Sequence, residues 1–135
     1  MGGRFSVRLL LDTHVVLWAL NHVDRLSTRA RDVLQDPTNE LMWSAVTPWE
    51  IATKHRLGPL PGGATLVDAY PEHLARLGAG DLPVTSRHAL LAGRLEWGHR
   101  DPFDRMLAAQ SILEGVPLVT SDRVFSTLPG VNVLW

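Results

Sequence analysis

Four acidic residues stand where the chain passes from an extended or loop segment into helix: Asp12, Glu50, Asp104 and Asp122. Asp12 follows the apolar run Val7 to Leu11. Glu50 closes Thr47-Pro48-Trp49-Glu50, Asp104 closes Asp101-Pro102-Phe103-Asp104, and Asp122 ends a run that begins at Val116. Carboxylates are hard oxygen donors, and a group of them suits Mg²⁺ or Mn²⁺, ions that neutralise charge on a phosphate and activate water against a phosphodiester. Each acid also has a plainer reading. Asp12 and Asp122 can cap the helices that follow them, Glu50 can be the reciprocal half of a capping box with Thr47, and Asp104 can complement a helix dipole. Taken singly, each of these is the simpler explanation. Topology separates the two readings, because helix starts that follow parallel strands lie along one edge of a sheet, where sites form, and the acids then converge. Two carboxylates about 4 Å apart repel by roughly 4 kcal/mol at an effective dielectric near 20. A cluster of three or four therefore requires bound cations or captured protons.

The segments that must position these acids alternate strand and helix. Val7 to Leu11 reads as a strand and HVVLWAL as a helix, Ser27 caps a second helix that Asp36-Pro37 ends, and Leu41 to Ser44 is a second strand. Thr47 then caps a helix that Gly58 stops. Pro59-Leu60-Pro61-Gly62-Gly63 is loop-like, and Ala64 to Leu77 reads as a helix split at Pro71. Asp81 to Val84 is extended, and Thr85 caps a helix to about Glu96. Asp101 caps another over Met106, Leu107, Ala109, Ile112 and Leu113, which Gly115 ends. A buried strand Val116 to Val119, a helical turn Val124 to Leu128 and an edge strand Val131 to Trp135 follow. Parallel strands need crossover connections, normally helical, so this order implies an α/β fold with a mainly parallel sheet covered on both faces.

The chain has 135 residues, the length of one domain, with 45% hydrophobic residues and a net charge of −1. A nucleic-acid partner must then be held by local basic residues rather than by a global field. The absence of cysteine excludes disulfides, thiolate nucleophiles and cysteine zinc sites, and agrees with a cytoplasmic protein. No apolar run reaches the roughly 20 residues of a membrane span, and no signal-peptide pattern is present. Met1-Gly2-Gly3-Arg4-Phe5-Ser6 matches the loose myristoylation pattern, a signal too short to outweigh chance.

The runs LLLDTHVVLWAL, WEIATKHRLGPLP and HRDPFDRMLAAQSILEGVPLVTSD together resemble a PIN-domain ribonuclease of the VapC toxin kind, over essentially the whole chain, 1–135. The resemblance implies a single domain of three layers with a central five-stranded, mainly parallel sheet. It implies that Asp12, Glu50, Asp104 and Asp122 hold Mg²⁺ or Mn²⁺ for endonucleolytic cleavage of RNA. Thr13 and Ser121 would be supporting polar groups. It also implies a toxin neutralised by a small antitoxin, and a homodimer. Asp101 and Asp104 compete for the third acidic position; DRMLAAQ resembles the family's helix start, which selects Asp104 and leaves Asp101 mainly as cap.

Lys54, Arg56, Arg100, Arg105 and Arg123 lie in sequence around the acids, and two readings stay open for them, an RNA groove and ordinary surface charge. His14 and His99 flank acids without forming a ligand pair, which favours structural or solvated roles. Trp18, Trp43 and Trp49 are read as core rather than base-stacking rings. The first helix is apolar over a broader arc than one buried face requires, which points to a partner surface. A PIN-like module that binds RNA without cutting it is the main alternative. An aspartyl-nucleophile phosphatase is a second, but it calls for an aspartate two residues after Asp12, where His14 stands.

Overall fold

The computed structural model describes residues 6–58 and 63–135. Met1 to Phe5 and Pro59 to Gly62, on which the acylation pattern and most of the loop-like segment fall, lie outside the described residues. In chain order the elements are β1 (Arg8–Leu11), α1 (Thr13–Asn21), α2 (Thr28–Gln35), β2 (Glu40–Ser44), α3 (Val46–Leu57), α4 (Gly63–Asp68) and α5 (Tyr70–Leu77). They continue with β3 (Ala79–Leu82), α6 (Ser86–Arg94), α7 (Pro102–Glu114), β4 (Leu118–Val119) and β5 (Val133–Leu134), with 3₁₀ turns at Val23–Arg25 and Arg123–Thr127.

The five strands form one sheet in the order β3-β2-β1-β4-β5, and every pairing is parallel. The leucine run of β1 explains why it is central. Leu9 and Leu11 face a cluster with Val15, Val16, Trp43 and Ile51, while Leu10 faces the opposite cluster with Leu107, Leu118 and Phe125. A strand buried on both faces is continuously apolar, as parallel strands under helical layers are. The three-layer α/β architecture expected from the sequence is present. No helix of the described residues is long and apolar enough to cross a membrane.

Local chemistry sets most boundaries. Ser27 accepts from the Ala30 N–H at 3.0 Å and starts α2, and Asp101 accepts from the Asp104 N–H at 3.0 Å and starts α7. Gly115 ends α7 at φ 65, in the left-handed region open to glycine at little cost. Pro71 lacks an N–H to donate backward, so α4 ends before it and α5 begins with proline in its first turn.

One expected helix start differs. The chain turns into α3 at Val46, two residues before Pro48, with Ala45 at the cap position and the Ser44 hydroxyl accepting from the Val46 N–H at 3.0 Å. Thr47 is therefore buried inside the first turn, its hydroxyl 3.3 Å from that of Thr13, and the capping box with Glu50 does not form. A capping box does form at α6, where Thr85 accepts from the His88 N–H and the His88 ring accepts from the Thr85 N–H.

From β1 the chain moves outward through β2 and β3 on one side, and returns to place β4 and β5 on the other. The order thus reverses between β1 and β4, and such a switch point leaves a crevice beyond the carboxyl ends of the two strands. Leu11 pairs with Val119, so Asp12 and Thr120 are the first residues past that edge.

Leu10 is wholly buried in the middle of the sheet. Leu10→Ala is expected to lower unfolding free energy by about 2–5 kcal/mol, read as a reduced denaturant midpoint with unchanged slope. A loss below about 1 kcal/mol would contradict this packing.

Candidate acidic site at the carboxyl edge of the sheet

Asp12 occupies the cap position of α1, yet its side chain makes no capping hydrogen bond. It is 4% exposed, and its Oδ2 accepts from the Thr120 hydroxyl at 2.8 Å, across the switch point. Burial pushes its pKa from the ordinary 3.8 up to about 6; the Thr120 bond and His14 oppose this, and the charges of Asp104 and Glu50 add to it.

Glu50 comes from the first turns of α3 and is 3% exposed. The Thr13 hydroxyl donates to its Oε1 at 2.7 Å, and the Lys54 ammonium, one turn further along α3, donates to its Oε2. Burial pulls the Lys54 pKa down, but its bond to Glu50 and the charges of Glu50, Asp101 and Asp104 raise it above the ordinary value. Lys54 therefore stays charged. With no capping box, this geometry gives Glu50 no part in starting its helix.

Asp104 lies in the first turn of α7, with His99 Nε2 2.7 Å from its Oδ2. Burial raises its pKa; the His99 bond opposes that rise, and the charges of Asp101 and Glu50 reinforce it. Asp12, Glu50 and Asp104, carried on three separate elements, thus act on one another electrostatically. Asp122 is placed differently. It is exposed, its Oδ1 accepts from the Val124 N–H at 3.0 Å as a cap, and its own N–H donates to the Thr120 hydroxyl at 3.0 Å. The structure places three of the four acids within electrostatic reach of one another and links the Asp122 backbone to Asp12 through Thr120.

The supporting groups also shift. Thr13 holds Glu50, and Asp101 caps α7. Ser121 is exposed, and the expected place beside the acids belongs to Thr120, which is 1% exposed. Of the basic residues, Arg105 is withdrawn from the set available to a phosphate. Its guanidinium donates to the carbonyls of Ala92, Trp97, His99 and Leu95 at 2.9, 2.9, 2.9 and 2.6 Å, clamping the connection that carries His99 to Asp104. Arg56, Arg100 and Arg123 are exposed. Trp43 is fully buried and Trp18 packs on the core, but Trp49 is 60% exposed, contrary to the core reading.

Among the described residues, no three His, Asp or Glu side chains stand close enough together to enclose a metal ion. The physical reason lies in the partners: Thr120, Thr13 with Lys54, and His99 each draw one carboxylate toward a protein donor. The donor set itself is all oxygen, partly buried and mutually repelling, which is the chemistry of a hard divalent cation site.

A family model for the PIN domain matches residues 9–131. Ribonuclease VapC16 of Mycobacterium tuberculosis is 36% identical over 58 residues, a segment covering 43% of this chain and 41% of that protein. The chain therefore aligns with less than half the length of this curated relative. Among solved structures, VapBC2 of Rickettsia felis bound to a promoter DNA fragment superposes with TM-score 0.68 at 15% identity, covering 95% of this chain and 98% of the other. DNA-bound VapBC of Salmonella typhimurium gives TM-score 0.68 at 17% identity, covering 95% and 97%. At these identities the structures share the fold.

The raised pKa of Asp12 makes a signed expectation. A carboxyl whose folded pKa lies above its unfolded value contributes stability that is present below about pH 3.8 and lost as pH rises through about 6. Without metal, its ionisation costs on the order of 3 kcal/mol. Asp12→Asn, which can still accept from Thr120, is expected to be more stable than the parent at pH 7.5 in EDTA, with most of that gap gone at pH 4.5. Denaturant unfolding of both proteins at both pH values measures it, and an equal gap at the two would contradict the assignment.

Proposed function

Since the chain belongs to the PIN-domain family, we propose that it is a metal-dependent endoribonuclease, a single PIN domain over 1–135 with Asp12, Glu50, Asp104 and Asp122 as its acids. The observation that carries this reading is the convergence of Asp12, Glu50 and Asp104 beyond the carboxyl edge of a parallel sheet, with the Asp12 pKa pushed up to about 6. Buried like charges without a structural use are costly, and a cation is the ligand that removes the cost. Mg²⁺ or Mn²⁺, when bound, supplies charge neutralisation on the phosphate and activation of water.

The chain's own residues prepare that chemistry. Thr120 holds Oδ2 of Asp12, and Thr13 holds Oε1 of Glu50, so that Oε2, now on Lys54, is the oxygen a cation would claim; outer-shell donors orient metal ligands in this way. His99 does the same for Asp104, and Arg105 holds His99 in place through its carbonyl. The Lys54 ammonium neutralises Glu50 and, on leaving it, becomes a charge that the RNA backbone can meet, and the exposed Arg100, Arg56 and Arg123 add to the basic set. Asp122, exposed at the rim, completes the set by side-chain rotation away from its cap.

The proposal extends to biology. The relative named a ribonuclease supports RNA as substrate, and the likeness to VapBC complexes supports a toxin of a type II pair, neutralised by a cognate antitoxin. Homodimerisation and work in the cytoplasm belong to the same reading. One observation favours the alternative, a module that binds RNA without cutting it: Glu50 is already paired with Lys54.

Incubating the protein with RNA in Mn²⁺ or in EDTA separates these readings, with cleavage expected in Mn²⁺ alone. Losing an outer-shell partner typically costs 10–100-fold, so Glu50→Gln, which removes a charge without removing a cap, is expected to lower cleavage by more than about 100-fold while keeping the fold. Asp104→Asn is expected to abolish cleavage. Asp101→Asn, which still caps α7, is expected to retain a measurable fraction. Equal loss in Asp101→Asn and Asp104→Asn would undo the assignment of the third acid.

A further inference from the structure

We propose that the indole of Trp49, braced by Phe103, is a stacking platform for one unpaired RNA base beside the phosphate that the acidic site receives. This rests on the nuclease reading and assigns a base-binding residue to the same site. Three observations carry it.

The first is exposure. Trp49 is 60% exposed in a chain that buries Trp43 completely, although an indole is among the side chains that gain most from leaving water. The second is bracing. The Trp49 and Phe103 rings meet edge to face, with centroids 4.8 Å apart and planes at 77°, while Phe103 itself packs on the core. That contact fixes the indole in one attitude and leaves most of it open. The third is position. Trp49 immediately precedes Glu50, and Phe103 immediately precedes Asp104, in two helix starts of the same proline-aromatic-acid pattern. Successive helical residues turn by about 100° around the axis. The acid of each pair therefore points into the crevice, Glu50 at 3% exposure, while Trp49 stands at its rim.

The surroundings favour a base over a protein partner. One turn along α3 from Trp49 stand Ala52 and Thr53, small or polar, and the next exposed large apolar side chain on that helix, Leu57, is eight residues away, so the indole has no exposed large apolar neighbour within one turn of its own helix. Exposed Arg100 precedes the Phe103 helix start, and Lys54 follows on α3, so backbone charge and base face are met side by side. Base–aromatic stacking tolerates any sequence and is worth roughly 5- to 150-fold in affinity per base.

The test uses the full chain and fluorescently labelled single-stranded RNA, with Ca²⁺ in place of Mg²⁺, and measures binding by anisotropy. The RNA is then substituted with one abasic nucleotide at each position in turn. The parent protein is expected to lose roughly 5- to 150-fold in affinity at one position. Trp49→Ala is expected to bind intact RNA weaker by a similar factor and to lose that positional sensitivity, while Trp49→Phe keeps part of both. Unchanged binding by Trp49→Ala, or an unchanged abasic profile, overturns the platform. So does a change of oligomeric state by size-exclusion with the profile intact, which would assign the ring to a contact between copies. RNA binding with the expected profile but no cleavage in Mn²⁺ would sink the nuclease reading and leave the platform standing. Cleavage and binding by Trp49→Ala at parental levels would do the reverse.

Discussion

Three carboxylates that repel one another are held at one edge of the sheet, and much of the surrounding structure serves to hold them there. Asp12 is the most constrained, because it follows the central strand directly and is buried before it can turn toward solvent. A buried carboxylate with only a neutral hydroxyl as partner takes up a proton or finds a counter-charge, and the rise of its pKa to about 6 is the sign of that tension. A fold selected for stability alone would place an apolar or amide side chain at this position, since removing a buried charge is commonly neutral or favourable. In the proposed reading, this acid makes the edge a site rather than a capped end.

Each neighbouring group answers one of these charges. Thr120 and Thr13 donate hydroxyl hydrogens, Lys54 brings an ammonium to Glu50, and His99 meets Asp104. Arg105 works one step back, its guanidinium bonded to the Ala92 carbonyl in the last turn of α6 and to three carbonyls of the α6–α7 connection, so that this loop, and the imidazole on it, stay fixed. Side chains held by such partners lose less freedom when a ligand arrives, which is how precise sites are supported. The same helix starts carry Trp49 and Phe103 to the rim, joining the acidic crevice to an aromatic surface.

Much of this was legible in the residues. The alternation of strand and helix, the leucine run of β1, the Ser27, Thr85 and Asp101 caps, and the Gly115 stop are local signals, and the local chemistry prevailed at each. The acids were visible as a set because their positions after strands and at helix starts place them on one edge. What escaped depended on contacts between distant segments. Thr120 faces Asp12 because of the register between β1 and β4, and nothing in the order of Thr120, Ser121 and Asp122 says which of them faces it. Thr47 fits every rule for an N-cap, but Thr13, from another helix, lies beside its hydroxyl and holds Glu50, and Ser44 starts the helix early. Arg105 was open to both an RNA-groove and a surface-charge reading because three of its four carbonyl partners come from a loop whose path the sequence does not state. Trp49 resembled core because an exposed indole is rare.

The central claim is that a divalent cation relieves the charge gathered around Asp12, and the melting temperature of metal-free protein with and without millimolar Mn²⁺ at neutral pH tests it most directly. A ligand that binds only the folded state stabilises it by RT ln(1 + [L]/Kd), about 2.7 kcal/mol at a hundredfold excess over Kd. The account predicts a rise of several degrees that EDTA reverses and that Asp12→Asn largely removes. No shift in the parent protein, or the same shift in Asp12→Asn, would contradict it.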